Sequence, residues 1–154
     1  MKESVLIIAA HPDDEVIGCG GTIAKHHDKG DEINTIIMAE GSTSRSPKRN
    51  RDQFLKELSV LSKAAKESAN ILGIKEIEIL DLPDNRLDSI DLLDIIKIIE
   101  SKIKKFNPTI IYTHHSGDVN IDHRLINDAV ITASRPIPSC NIKRILSFEV
   151  ASST

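Results

Sequence analysis

Aromatic residues are scarce in this chain, which has three Phe, one Tyr and no Trp among 154 residues. Proteins that hold single-stranded nucleic acid stack its bases on aromatic side chains, so such a surface is not expected here. The formal net charge of −3 also lacks the basic excess that binding to nucleic acid or to an anionic membrane requires. No stretch approaches the ~20 apolar residues of a membrane span. Neither a nucleic-acid partner nor a membrane span is therefore expected.

Cysteine is rare as well, with only Cys19 and Cys140, far apart in the sequence. Two distant cysteines do not form a disulfide framework. The N-terminus shows no signal-peptide pattern, so the expected location is the reducing cytoplasm. Nothing in the composition decides between a monomer and a homo-oligomer.

Short β-branched runs alternate with amphipathic segments along the whole chain. This alternation predicts an α/β fold, a Rossmann-like and mostly parallel sheet with helices on both faces. The length suits one domain. The chain stops soon after the last strand, so we expect a domain over 1–154 that lacks a C-terminal part. The predicted strands are 5–9, 33–38, 77–80, 109–113 and 144–150, and the predicted helices are about 22–27, 47–72, 90–106 and 122–133.

Two polar segments carry the chemistry, and each follows a predicted strand. The first is His11-Pro12-Asp13-Asp14-Glu15, and the second is Asp118-Val119-Asn120-Ile121-Asp122-His123. Because open α/β sheets bind ligands at the carboxyl ends of their strands, both segments are expected at one edge. Two imidazoles and a carboxylate bind Zn²⁺ and leave a position for water. A buried histidine is more often a hydrogen-bonded core residue, but the pairing of the two segments favours a metal site.

The first segment, followed by Gly18-Cys19-Gly20-Gly21-Thr22, resembles the LmbE-like/PIG-L family of zinc-dependent deacetylases. The second motif, 113–123, is similar to that family's second motif, and the resemblance extends from Val5 to Thr154. It implies a zinc hydrolase that removes acetyl from the amide nitrogen of a small N-acetylated sugar derivative. GlcNAc-type conjugates, nucleotide-sugars and lipid-linked sugars are the expected substrates. The family also continues beyond the position of Thr154.

The resemblance assigns roles to four residues of the two motifs. It implies His11, Asp14 and His123 as the zinc ligands. Asp13 matches the general base, which takes a proton from the attacking water. The adjacent spare carboxylate of Asp13 also favours metal-assisted hydrolysis over other chemistry at such a site.

One position departs from the family pattern, because many members have a histidine where this chain has Asn120. An amide donates a hydrogen bond to an oxyanion but cannot carry a proton. We therefore expect Asn120 to polarise the substrate, and Asp13, His114 or His115 to protonate the leaving amine. His114 and His115 are also candidate substrate contacts. Arg86 and Arg135 are expected near the same edge, as contacts to substrate phosphate or hydroxyl groups or as surface ion pairs.

Other functions remain compatible with the same residues. A metal- or sugar-binding module without turnover is one, since Asn120 or a missing C-terminal part would remove activity. A non-haem iron oxygenase is another, because two histidines and a carboxylate also suit iron. A dinucleotide-binding domain is disfavoured, since the first turn lacks the Gly-x-Gly-x-x-Gly pattern directly after the strand.

Overall fold

Strands and helices alternate along the chain, as predicted. The structure is a computed structural model, which describes residues 2–138 and 140–151. Every strand boundary lies within two residues of the prediction. The strands are β1 (Ser4–Ala9), β2 (Glu32–Ala39), β3 (Glu76–Leu82), β4 (Ile110–His114) and β5 (Arg144–Phe148), and the helices are α1 (Asp14–Asp28), α2 (Leu55–Ile71), α3 (Leu92–Phe106) and α4 (Ile121–Ala133).

The five strands form one parallel sheet in the order β3-β2-β1-β4-β5. The chain builds outward from β1 to β3 and then returns to place β4 and β5 on the other side. The direction of winding therefore reverses between β1 and β4. In doubly wound sheets this switch point opens a crevice at the carboxyl ends of the two strands, where ligands bind. The order confirms the predicted Rossmann-like fold.

Apolar cores lie on both faces of the sheet, because β1 is aliphatic from Val5 to Ala9 and buried on both sides. On one face, α3 and α4 supply buried residues that include Ile99 and Ile126. On the other, α1 and α2 supply Cys19, Ile23 and Ala69. The helices therefore cover both faces, as predicted. Within the described residues, no helix combines the length and the apolar character needed to cross a bilayer.

Helix α1 begins at Asp14, well before the predicted start near Thr22. Gly18, Gly20 and Gly21 lie inside the helix, although glycine costs helix stability. Two features offset this cost. Acidic residues in the first turn interact favourably with the helix dipole. In addition, a Cβ at Gly18 would lie 2.3 Å from the ring of Phe148, so the absent side chain lets β5 pack against the helix.

Helix α2 begins at Leu55, later than the prediction of a helix over 47–72. The preceding residues form a loop and a 3₁₀ turn over Arg51–Phe54. This segment does not continue the helix because its basic side chains contact the ends of β2 and β3. Arg49 and Arg51 both pair with the buried carboxylate of Glu40, at 2.8 and 2.9 Å. These ion pairs hold the loop after β2 beside the crevice.

Candidate metal centre

Three donor atoms meet at the switch point between β1 and β4. His11 and Asp14 follow β1, and His123 lies in the first turn of α4, which follows β4. The Nδ1 of His11 is 3.3 Å from the Oδ2 of Asp14, and the Nε2 of His123 is 3.2 Å from the same oxygen. The two histidine nitrogens are 3.3 Å apart. The donors form a nearly equilateral triangle.

Second carboxylates determine which nitrogen of each ring carries the proton. The Nε2 of His11 is 3.1 Å from Oδ2 of Asp122, and the Nδ1 of His123 is 2.9 Å from Oδ2 of Asp118. Because ionised carboxylates only accept hydrogen bonds, these nitrogens are the N–H donors. The opposite nitrogens therefore face each other and the carboxylate of Asp14. Without a proton these three atoms are all hydrogen-bond acceptors, so they repel one another unless a proton or a metal cation lies among them.

The residues present fit a tetrahedral divalent metal ion. Zn²⁺ binds His nitrogen and carboxylate oxygen at about 2.0–2.2 Å, which requires donor atoms about 3.3–3.5 Å apart. The observed separations of 3.2–3.3 Å match one face of such a tetrahedron. Histidine ligands that donate their other N–H to a carboxylate are the usual arrangement at protein metal sites. The donor set thus suits zinc and leaves one position open.

The pKa values of His11 and Asp14 show that the surroundings of this triangle favour positive charge. Burial lowers the pKa of His11, but its hydrogen bonds to Asp122 and Asp14 outweigh burial and raise the pKa to about 10. Burial raises the pKa of Asp14, but hydrogen bonds from His11 and His123 hold it well below its usual range. Asp14 is therefore ionised at neutral pH, as a ligand carboxylate must be.

Asp13 lies beside the triangle in a strained backbone conformation. Its φ is +149°, a region that residues with a Cβ rarely adopt, and strain of this kind concentrates at functional sites. The Asp13 backbone N–H donates to Oε2 of the buried Glu15 at 3.1 Å, which helps to hold the conformation. Partial burial and the charge of Asp14 raise the pKa of the Asp13 carboxyl. Asp13 is exposed, so it faces the solvent side of the site.

A carboxylate pair lies behind His11 and received no role from the sequence motifs. Asp122 is fully buried, and its second oxygen accepts a hydrogen bond from the Leu87 backbone N–H at 3.0 Å. Asp84, also buried, lies 3.5 Å from the Nε2 of His11. It accepts a backbone hydrogen bond from Ser44. The polar loop after β3 was the only sequence signal for Asp84, and only the fold brings it to the site.

Asn120 is the N-cap of α4. Its Oδ1 accepts a hydrogen bond from the Asp122 backbone N–H at 2.9 Å. Its Nδ2 donates to Oδ1 of Asn85 at 2.8 Å, which links the loops after β3 and β4. The amide therefore has a structural use that the sequence did not indicate. One hydrogen on Nδ2 remains for a substrate, so the expected polarising role stays a prediction.

The structure places the two adjacent histidines in opposite environments. His114 is fully buried, and burial lowers its pKa to about 3. It is neutral at physiological pH and does not reach solvent. Its expected contact with substrate and its expected transfer of a proton stay predictions. His115 is exposed, and its Nδ1 accepts a hydrogen bond from the Gly117 backbone N–H at 3.0 Å. A substrate role for His115 stays a prediction.

The two candidate arginines have different locations. Arg86 donates from Nη2 to the carbonyls of Ser46 and Pro47, at 2.9 and 3.1 Å, and so ties the loop after β2 to the site. Its expected substrate contact stays a prediction. Arg135 lies beyond the far end of α4 and pairs with Glu100 at 2.7 Å. A helix rises about 1.5 Å per residue, so α4 carries Arg135 to the opposite edge of the sheet. The expectation that it lies near the functional edge is wrong.

The family model described as "PIG-L: GlcNAc-PI de-N-acetylase" matches residues 6–134. This range includes all of the metal-site residues and most of the sheet. The chain therefore belongs to the PIG-L family, which confirms the resemblance in its two motifs.

Individual proteins resemble this chain in sequence or in structure. The chain is 29% identical over 156 residues to the uncharacterized deacetylase YaiS of Escherichia coli, and the match covers 98% of this chain and 76% of that protein. It is 29% identical to a probable N-acetyl-alpha-D-glucosaminyl L-malate deacetylase 2 of Bacillus cereus, with 90% of this chain and 64% of that protein covered. The structure of the N,N'-diacetylchitobiose deacetylase of Pyrococcus horikoshii superimposes with a TM-score of 0.72 at 28% identity, covering 89% of this chain and 52% of that one.

Proposed function

We propose that this protein is a zinc-dependent hydrolase that removes the acetyl group from the amide nitrogen of an N-acetylated sugar derivative. One observation carries the proposal. The Nδ1 of His11, the Nε2 of His123 and a carboxylate oxygen of Asp14 converge at 3.2–3.3 Å, with the carboxylate of Asp13 beside them. This arrangement combines a metal-binding face with a spare base, which is what metal-assisted hydrolysis requires.

The ligands are His11, Asp14 and His123. Bound zinc would supply the chemistry of a Lewis acid, which lowers the pKa of water toward 7 and polarises a carbonyl oxygen. Asp118 and Asp122 hold the two imidazoles in the tautomers that present their lone pairs. The protein thus supplies a preorganised ligand set, so that little rearrangement accompanies binding.

Asp13 is the general base in this proposal. It takes the proton from the water that attacks the acetyl carbon, and its raised pKa makes it a better proton acceptor than an ordinary aspartate. The acid formed in this way can return the proton to the nitrogen of the leaving sugar amine. Because His114 is buried, Asp13 is the residue best placed to carry the proton in both steps.

We assign the remaining Nδ2 hydrogen of Asn120 to the substrate carbonyl. The amide is held by its cap to Asp122 and by Asn85, so the donor is fixed before substrate arrives. A preorganised donor of this kind stabilises developing negative charge without reorganisation.

The names of the relatives support the substrate class. They name deacetylases of an N-acetylglucosaminyl malate and of diacetylchitobiose, both N-acetylated sugars with different attached groups. This chain spans 64% and 52% of those two proteins, and the proposal is confined to the N-acetylated sugar that both names share. The free thiols of Cys19 and Cys140 are compatible with the reducing cytoplasm as the place of action.

The proposal is tested by elemental analysis together with acetate release from diacetylchitobiose and from N-acetylglucosaminyl malate. We expect one zinc per chain and release of acetate from at least one substrate. The variant His123→Ala should lose both while keeping the fold. Bound metal without acetate release from either compound would favour a binding module, and full zinc occupancy in His123→Ala would refute the ligand assignment.

A further inference from the structure

His114 lies at the end of β4, directly behind the metal site. Its ring is stacked on the ring of His123, with centroids 3.8 Å apart and planes inclined by 14°. The ring of Phe148 packs against it at 4.8 Å. His114 is fully buried. It therefore supports one candidate ligand by ring contact, from a position that substrate cannot reach.

The same ring also contacts the segment that carries a second ligand. The backbone N–H of Ala10 donates to Nε2 of His114 at 2.8 Å, and Ala10 directly precedes His11. The paired residues of β1 and β4 end at Ile7 and Tyr112, so beyond them the His114 side chain replaces a strand-to-strand hydrogen bond. Ala10 is buried, so its N–H would be left unpaired and without water if His114 did not accept this hydrogen bond.

A third contact joins α4 to the backbone of His114. The Nδ2 of Asn127 donates to the His114 carbonyl at 2.8 Å. Asn127 lies four residues after His123, so both side chains are on one face of α4. The hydrogen bond therefore anchors the helix at the level where the His123 ring lies over the His114 ring.

We propose that His114 is a positioning residue for the metal centre, which sets the distance between His11 and His123 through its hydrogen bond to Ala10 and its stacking on His123. The inference rests on the proposed metal site. His11 and His123 are separated by 112 residues in the chain, and His114 contacts the segment of each. Removing either contact should loosen the triangle of donor atoms without removing a ligand.

Two substitutions separate the two contacts. His114→Gln keeps an oxygen acceptor for the Ala10 N–H but removes the stacked ring, whereas His114→Phe keeps a ring and removes the acceptor. The apoproteins are titrated with Co²⁺, which reports both affinity and ligand geometry by its visible absorption. We expect each variant to lose about 10- to 100-fold in affinity, as for other residues that orient ligands, with shifted absorption bands. His27→Gln, which changes an exposed imidazole in the last turn of α1, should leave the affinity and the bands unchanged.

The outcomes separate this inference from the function on which it rests. If the wild-type protein binds no Co²⁺, the metal site fails, and the positioning role fails with it. If the wild type binds Co²⁺ and both variants match its affinity and spectrum, only the positioning role is overturned. Thermal unfolding of the apoproteins is followed in parallel. A variant that is less stable but keeps the wild-type Co²⁺ spectrum, or two variants that do not fold, would make His114 an ordinary core residue.

Discussion

The Oδ2 of Asp118 lies 2.9 Å from the Nδ1 of His123 and fixes the tautomer of that ring. Removing the carboxylate frees the proton to move to Nε2, where it competes with a metal ion. We expect Asp118→Ala to lower zinc affinity by about 10- to 100-fold. Asp128→Ala removes an exposed carboxylate from the same helix and should leave the affinity unchanged. Competition with a chromophoric chelator measures both, and equal affinities would show that Asp118 does not orient the ligand.

Asp13 and Asp14 are adjacent, yet the geometry gives them different roles. Asp13→Asn should retain zinc and lose about 10²–10⁴-fold in rate, because an amide cannot take a proton. Asp14→Asn should instead lose metal, because a ligand charge is removed. Metal content and acetate release are measured on both variants. If both kept their metal and lost the same activity, the division of roles would be wrong.

The pH dependence follows from the raised pKa of Asp13. A base works only when deprotonated, so kcat/KM should rise with pH through this pKa. Because the pKa is raised, the rising limb should lie above the range of an ordinary aspartate. The residual activity of Asp13→Asn should lack that limb. A limb that is identical in the variant would assign it to another group.

Asn120 has two separable contributions, a helix cap and a proposed hydrogen bond to substrate. Asn120→Ala loses both, so we expect about 1 kcal/mol of destabilisation and a kcat lower by about 10²–10³. Asn120→Asp keeps an oxygen for the Asp122 N–H but has no N–H to donate. It should recover the stability that the cap supplies and not the rate. Urea unfolding and initial rates distinguish these effects, and a fast Asn120→Ala variant would exclude the residue from catalysis.

Gly18 and Gly21 occupy the same helix but meet different surroundings. A Cβ at Gly18 would lie 2.3 Å from Phe148, whereas nothing lies within 4 Å of one at Gly21. Gly18→Ala should therefore cost about 1–3 kcal/mol through overpacking. Gly21→Ala should stabilise the protein by about 0.5–1 kcal/mol, because alanine favours the helix. Thermal unfolding of the two variants should give shifts of opposite sign, and similar shifts would contradict the contact with Phe148.

The hydrogen-bonded pair of Asp31 and His26, outside the metal site, makes the stability of the fold depend on pH. The hydrogen bond from Nδ1 of His26, at 2.7 Å, holds the pKa of Asp31 below its usual range. A carboxyl with a lowered pKa in the folded state stabilises the protein above its unfolded pKa, and this stabilisation is lost as the pH falls through the folded value. Asp31→Asn should therefore lower the melting temperature more at pH 7 than at pH 3. Asp28→Asn, an exposed neighbour, should show no such difference.

The order of strands and helices was predictable because it depends on local patterns. β-branched runs such as Val5 to Ala9 indicate buried strands, and spaced apolar residues such as Ile95 and Ile99 indicate the buried face of a helix. The two polar segments around His11 and His123 were predictable as one site for a related reason. Parallel strands bring their carboxyl ends to one edge, whatever lies between them in the sequence.

The sequence by itself determined the alternation of elements, the family and the residues able to bind a metal. Only the tertiary structure decided which nitrogen of each histidine faces the site, that His114 is buried, and that Arg135 lies at the opposite edge of the sheet. It also placed Gly18 inside a helix, which the sequence predicted to begin only near Thr22. These features depend on contacts between residues that are distant in the chain, such as Phe148 with Gly18 and Asp122 with His11. Local sequence patterns carry no information about such contacts, because packing between distant segments decides them.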